Sequence, residues 1–195
     1  MIRLEIQTPE QMADLGRRIA RQLRAGDIVA LNGELGAGKT TLTRGLGEQL
    51  GVRGAVTSPT FVLARTHPRP DGGAPLVHVD AYRLGSAAEL DDLDIDFEGS
   101  IVVVEWAAGM LDGISDSLLE VSIARPTGAG AATTEGAASL AGEATTAGAA
   151  NPVPAAVGDE PTAGAPVDEE DLGGPEPRQV TIRPLGPRWQ RHPFT

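Results

Sequence analysis

Residues 27–51 read DIVALNGELGAGKTTLTRGLGEQLG, and no other stretch of the 195-residue chain restricts its fold so tightly. Gly33, Gly38, Lys39 and Thr40 complete the pattern G-x-x-x-x-G-K-[ST]. The apolar run IVAL leads into it. An amphipathic segment leaves it, with Leu42, Leu46 and Leu50 four apart and Gly51 as a stop. Glycines in such a loop let the backbone turn successive N–H groups toward phosphate oxygens at the amino terminus of a helix. A lysine at position 39 then reaches the terminal phosphates, and the Thr40 hydroxyl suits Mg2+. A strand that is apolar throughout, without alternation, belongs inside a parallel sheet covered on both faces.

The flanking segments fit that setting. RLEI is a short alternating strand candidate. In TPEQMADLGRRIARQLRAGD, Thr8 caps, Pro9 takes the first helical position and Gln11 the third, a capping-box pattern; Met12, Leu15, Ile19 and Leu23 follow at near-helical spacing. TFVLAR and PLVHVDAYRL read as two strands of a hairpin around the turn-rich THPRPDGGA. SAAELDDLD reads as a short helix capped by Ser86, SIVVVEW and SLLEVSI as further strands, and RQVTIRP as a last edge strand. Strands alternating with helices around a phosphate loop predict a three-layer α/β sandwich of the P-loop NTPase type, with a mostly parallel sheet and antiparallel edge strands.

Composition matters here because its apolar content is unevenly spread. Residues 126–177 hold no aromatic residue, no Lys or Arg, and little Leu, Ile or Val. Alanine raises their hydrophobic score without supplying area to bury, so they are expected to be a disordered insertion before the last strand. The predicted organisation is a core over residues 1–125, the insertion over 126–177, and an edge strand with a tail over 178–195. The insertion carries nine acids and no bases, so −9 of the net −11 lies there and the rest of the chain carries −2. That balance speaks against a whole-surface nucleic-acid footprint. Without cysteine there is neither a disulfide framework nor a thiolate metal site, and His67, His78 and His192 lack ligand-like spacing, so each reads as an ordinary surface or core residue. The N-terminal residues are too charged for a signal peptide and no stretch has membrane-spanning length; the expectation is a cytoplasmic protein that touches no membrane.

A phosphate loop alone serves kinases, GTPases, motor ATPases and switches. Asn32 and Asn151 are the only asparagines and neither precedes lysine, so the guanine-reading N-K-x-D motif is missing. DFEG at 96–99 has the D-x-x-G form but precedes an apolar strand instead of following one. The acidic partner of Mg2+ belongs at the end of a buried strand beside the loop, where Asp80 in VHVDAYRL and Glu105 in IVVVEW both qualify. Residues 57–61, TSPTF, suit either a mobile loop over the γ-phosphate or a plain turn. Trp106 can stack on a base or pack in the core, and the residues alone favour the core. A small-molecule kinase remains the alternative function, disfavoured because the one long excursion has no Arg or Lys for a closing lid. A non-catalytic scaffold is disfavoured by the retention of both acids.

In order and approximate spacing, GELGAGKTTLTRGLGEQLG, VTSPTFVLA, HVDAYRL and VVVEWA resemble the TsaE (YjeE) family, small bacterial ATPases needed to make threonylcarbamoyladenosine in tRNA. The resemblance runs from about Ile6 to Ile123. It implies that ATP and Mg2+ are the cofactors and that Gly33, Glu34, Gly36, Ala37, Gly38, Lys39, Thr40 and Thr41 hold the phosphates. Ser58 and Thr60 then belong to a switch-like S-P-T segment, and Trp106 to the nucleotide side. Lys39, Asp80 and Glu105 become the expected catalytic set. Thr40 and Glu105 are assigned to the metal and Asp80 to the hydrolytic water, although the two acids' roles are interchangeable on the motifs alone. The expected partners are TsaD and TsaB, with tRNA met only indirectly through their complex and ATP hydrolysis acting as a switch on it. Two positions depart from the family pattern: Ala107 replaces the proline of E-W-P, and Met12 a threonine near the start of the first helix.

Overall fold

Thr8 starts the first helix as its sequence predicts, its hydroxyl accepting from the Gln11 N–H at 3.2 Å with Pro9 behind it. Gln11 reaches back to the Gln7 N–H at 2.7 Å, one residue earlier than an ideal capping box. A computed structural model describes residues 1–125 and 176–191. Along the chain run β1 (Ile2–Ile6), α1 (Pro9–Ala20), β2 (Ile28–Gly33), α2 (Lys39–Leu50), β3 (Ala64–His67), β4 (Leu76–Asp80), a 3-10 turn (Ala81–Arg83), α3 (Ala87–Asp91), β5 (Ile101–Glu105), β6 (Leu118–Ala124), β7 (Arg178–Leu185) and α4 (Pro187–Arg191). The insertion expected at 126–177 lies outside the described residues except for Glu176 and Pro177, which lead into β7.

The strands form one sheet in the order β1-β7-β6-β2-β5-β4-β3. Its centre is parallel: β2 pairs with β5 and β6, and β4 with β5. Toward the edges, β1 with β7, β6 with β7, and β3 with β4 pair antiparallel. The mostly parallel α/β sheet of the sequence reading is therefore present. Alternation along β2 and β5 sends Val29, Leu31, Ile101 and Val103 to the face covered by α1 and α2, and Ile28, Ala30, Val102 and Val104 to the other. That second layer is thin: α3 and the segments around Leu84, Leu90, Met110 and Leu111 cover it, with Ala107 buried among them.

Three expectations need correction. The RQVTIRP strand is not at an edge: β7 lies between β1 and β6, because β1 pairs with it from Ile2↔Ile182 to Ile6↔Arg178. TFVLAR does not form a strand over its length; residues 59–63 turn, with Val62 and Leu63 both donating to the Pro59 carbonyl, and β3 begins only at Ala64. Phe61 and Val62, which made the segment look apolar and buried, are 92% and 56% exposed. PLVHVDAYRL likewise stops as a strand at Asp80, whose carboxylate caps the following turn by accepting from the Tyr82 N–H at 3.0 Å.

Beyond β7 the described residues continue into α4. Trp189 on α4 is buried in the α1/α2-side core, and Arg188 bonds both carboxylate oxygens of Asp27, at 2.9 and 3.0 Å. All described residues belong to one compact unit. Among them no helix is long and apolar enough to cross a membrane.

Candidate phosphate-binding and hydrolytic site

The parallel strands β2, β4 and β5 end together, and their carboxyl ends deliver the candidate residues to one place. Gly33 closes β2 where a Cβ would stand 2.6 Å from the Ile123 carbonyl oxygen, so a side chain is excluded by backbone. Gly38 has φ +106 and caps α2 without a side chain, which leaves the N–H groups of the helix's first turn facing outward. Met12 of α1 packs beneath it, 3.4 Å from the Cβ that Gly38 lacks. The position where the family pattern has threonine thus supports the loop from below with apolar contact.

Lys39 is 5% exposed. Its ammonium donates to the carbonyls of Gly33 and Glu34 at 2.9 and 3.0 Å and lies 3.7 Å from the centroid of the Trp106 ring. Burial lowers its pKa from the usual lysine value, against the opposing pull of Glu105 and Asp80. Such an ammonium is poorly hydrated and gains from an anion brought to it. Glu34 takes part through its carbonyl, and Ala37 is buried beneath the loop.

Asp80 and Glu105 are register partners at the ends of β4 and β5, 4% and 3% exposed. The Thr40 hydroxyl donates to Glu105 Oε1 at 3.0 Å. Asp80 faces a different neighbour, accepting from the Thr60 hydroxyl at 2.7 Å. Thr60 also lies 2.8 Å from the Ser58 hydroxyl. A hydroxyl has one proton, so Ser58 donates to Thr60 and Thr60 to Asp80. The S-P-T segment is thereby tied to the second acid while the first is tied to the phosphate loop.

Trp106 corrects the reading from residues alone. It is half-buried outside the core, with φ +62, its N–H bonded to the Leu31 carbonyl at 2.9 Å and its ring 5.0 Å from that of Tyr82. A left-handed tryptophan costs about 1–3 kcal/mol, strain of the kind that gathers at functional sites.

Two residues escaped the sequence reading. His78, taken as an ordinary histidine, is fully buried with Nε2 2.8 Å from Glu105 Oε1. Its signal was its place two residues before Asp80, on the same face of one strand. Arg125, just past β6, donates to the Gly36 carbonyl at 3.1 Å, on the far side of the loop from the two acids. Nothing local marks it, since only the β2–β6 pairing brings it there.

Thr40 and Glu105 bring a hydroxyl and a carboxylate to one place, a donor set that fits Mg2+, a hard ion that keeps waters and takes one or two carboxylates together with phosphate oxygens. Among the described residues no cluster of three or more His, Cys, Asp or Glu could hold a metal unaided. The donor set therefore fits an ion that arrives with a phosphate ligand.

Residues 6–132 match the family model described as threonylcarbamoyl adenosine biosynthesis protein TsaE. Three of the similar proteins, each named tRNA threonylcarbamoyladenosine biosynthesis protein TsaE, span a range of identity. That of Streptomyces coelicolor is 61% identical over 120 residues, covering 60% of this chain and 81% of the relative. That of Mycobacterium tuberculosis H37Rv is 50% identical over 125 residues, covering 60% and 74%. That of Bacillus subtilis is 37% identical over 118 residues, covering 60% and 73%. In fold, the chain is similar to the crystal structure of Bacillus subtilis YdiB, with TM-score 0.60 and 24% identity, covering 97% of this chain and 89% of that one.

Proposed function

The chain belongs to the TsaE family, and from that premise we propose that it binds ATP with Mg2+ and hydrolyses it in support of tRNA threonylcarbamoyladenosine formation. The observation that carries this reading is the Thr40–Glu105 hydrogen bond, which couples the first turn of α2 to the end of β5. It favours Glu105 over Asp80 as the metal acid. Bound Mg2+ would supply a positive charge shared by the phosphate oxygens and the β5 carboxylate.

Each side chain then has a task. Lys39, freed from the loop carbonyls, neutralises charge on the terminal phosphates. Asp80 orients a water toward the γ-phosphorus. The P–O bond to ADP breaks as the bond to water forms; one of the water's protons stays on the released phosphate and the other passes through the Asp80 carboxylate to solvent. Because the Thr60 hydroxyl ties the S-P-T segment to Asp80, movement of that segment would change how Asp80 meets a water, which suits a partner-dependent switch. The partners we assign are TsaD and TsaB, with tRNA contacted only through their complex.

Phosphate release with Mg2+, measured alone and with the TsaB–TsaD complex, tests the reading beside Glu105→Ala. The expected result is slow release alone, stimulation by the complex and loss in the variant. A complex that neither binds nor changes the rate would overturn the switch.

A further inference from the structure

We propose that His78 is a positioning residue: its Nε2–H, together with the Thr40 hydroxyl, fixes the Glu105 carboxylate so that Oε2 alone is presented to the magnesium ion or to one of its waters. The inference rests on the proposed assignment of Glu105 to magnesium and adds a residue to that site.

Geometry carries it. Strand periodicity places His78 and Asp80 on one face of β4, and the register Asp80↔Glu105 makes His78 the diagonal neighbour of Glu105 across the parallel pair. His78 is wholly buried, with Nε2 2.8 Å from Glu105 Oε1 and no partner for Nδ1. A proton on Nδ1 would be a buried donor left unbonded, at a cost of about 1–3 kcal/mol. The neutral ring therefore carries its proton on Nε2 and donates it to the carboxylate, a tautomer assigned from the network.

Glu105 Oε1 then receives two donors from two different elements, His78 of β4 and Thr40 of α2. A carboxylate oxygen offers two lone pairs, so Oε1 is filled. Among the described residues Oε2 has no protein donor. Two anchors at one oxygen fix the rotation of the carboxylate, which one anchor leaves free. Groups of this kind behind a metal ligand are worth about 10- to 100-fold in metal affinity. When Thr40 turns its oxygen toward the ion, His78 is the anchor that does not depend on the metal.

The test separates nucleotide binding from magnesium binding. Affinity for an ATP analogue is measured by calorimetry in EDTA and across a Mg2+ titration, for wild type, His78→Leu and His78→Gln, the last keeping an N–H at similar reach. The expected result is an unchanged affinity in EDTA, a rise of about 10- to 100-fold in the Mg2+ needed by His78→Leu, and recovery to within a few-fold in His78→Gln. Equal Mg2+ dependence in all three overturns the inference while leaving the magnesium site intact. Loss of affinity in EDTA also overturns it, since that marks a merely structural histidine. Wild type that gains nothing from Mg2+ overturns the metal assignment and this inference with it. Independently of variants, nitrogen-15 spectra of the wild type must show His78 protonated at Nε2; protonation at Nδ1 would sink the proposal.

Discussion

The two ends of β2 both carry buried charge and treat it in opposite ways. Before the strand, Asp27 meets Arg188 through two parallel bonds, takes a third from the Arg24 N–H at 2.9 Å, and Arg188 spends another on the Gln22 carbonyl at 2.9 Å. The guanidinium lies 4.4 Å from the Trp189 ring. After the strand, Lys39, Asp80 and Glu105 are equally buried, yet the ammonium bonds carbonyls and the acids bond hydroxyls and an imidazole. No ion pair joins Lys39 to either acid among the described residues. One end closes its charges on each other, and the other keeps them apart for something brought from outside.

The sharpest way to break this contrast is to remove one partner at the closed end. Asp27→Ala strands a largely buried guanidinium and is expected to cost about 3–5 kcal/mol in urea unfolding, with hydrolysis per folded molecule unchanged. Replacing both partners by apolar residues should recover most of that loss. If Asp27→Ala instead spares stability and lowers hydrolysis, the two ends are not functionally distinct.

At the open end the effect should fall on activity. Lys39→Ala removes a positioned cation and is expected to lower phosphate release about 10²- to 10³-fold, the scale seen for single preorganised donors. The melting temperature should stay level or rise, because a desolvated ammonium goes with it. A matching fall in melting temperature would mean that Lys39 holds the loop together and does little else.

Which end could be read beforehand follows from how local its determinants are. The phosphate loop, α2 with its leucines, and the acids at the ends of β4 and β5 depend on neighbours within a dozen residues, and each lies where its pattern predicts. Arg188 meets Asp27 across 161 residues, and β7 slots between β1 and β6 only because both of those pair with it. No periodicity reports such a meeting. His78 was hidden differently: an apolar strand with one histidine looks like a core strand until Glu105 is set beside it. TFVLAR misled in the other direction, since Phe61 and Val62 carry a strand's composition on an exposed turn.

A smaller effect lies in the tether between these regions' chemistry. Thr60→Val removes the donor to Asp80 and is expected to cost about 1.5–3 kcal/mol of ligand-free stability, the value of a bond to a charged group. Hydrolysis without partners should rise if the tether restrains Asp80. An unchanged rate would show that the segment does not gate the acid.

The smallest expected effect concerns His67, a buried charge-capable group that belongs to neither end. It is 3% exposed on β3, and its Nε2 has no partner. Desolvation lowers its pKa, helped by the charge of Arg65, while a hydrogen bond with the Arg53 backbone works against the shift. Lowered in the fold, the group binds fewer protons than it does in the unfolded chain, where it titrates near pH 6.5. Its contribution to stability is therefore complete above that pH and is lost as pH falls toward the folded value. Urea unfolding between pH 7.5 and 5.5 should show wild type losing more stability than His67→Leu, by no more than the linkage of one proton. Parallel pH profiles would mean that His67 already exchanges its proton freely in the fold, and that burial does not by itself keep a group neutral.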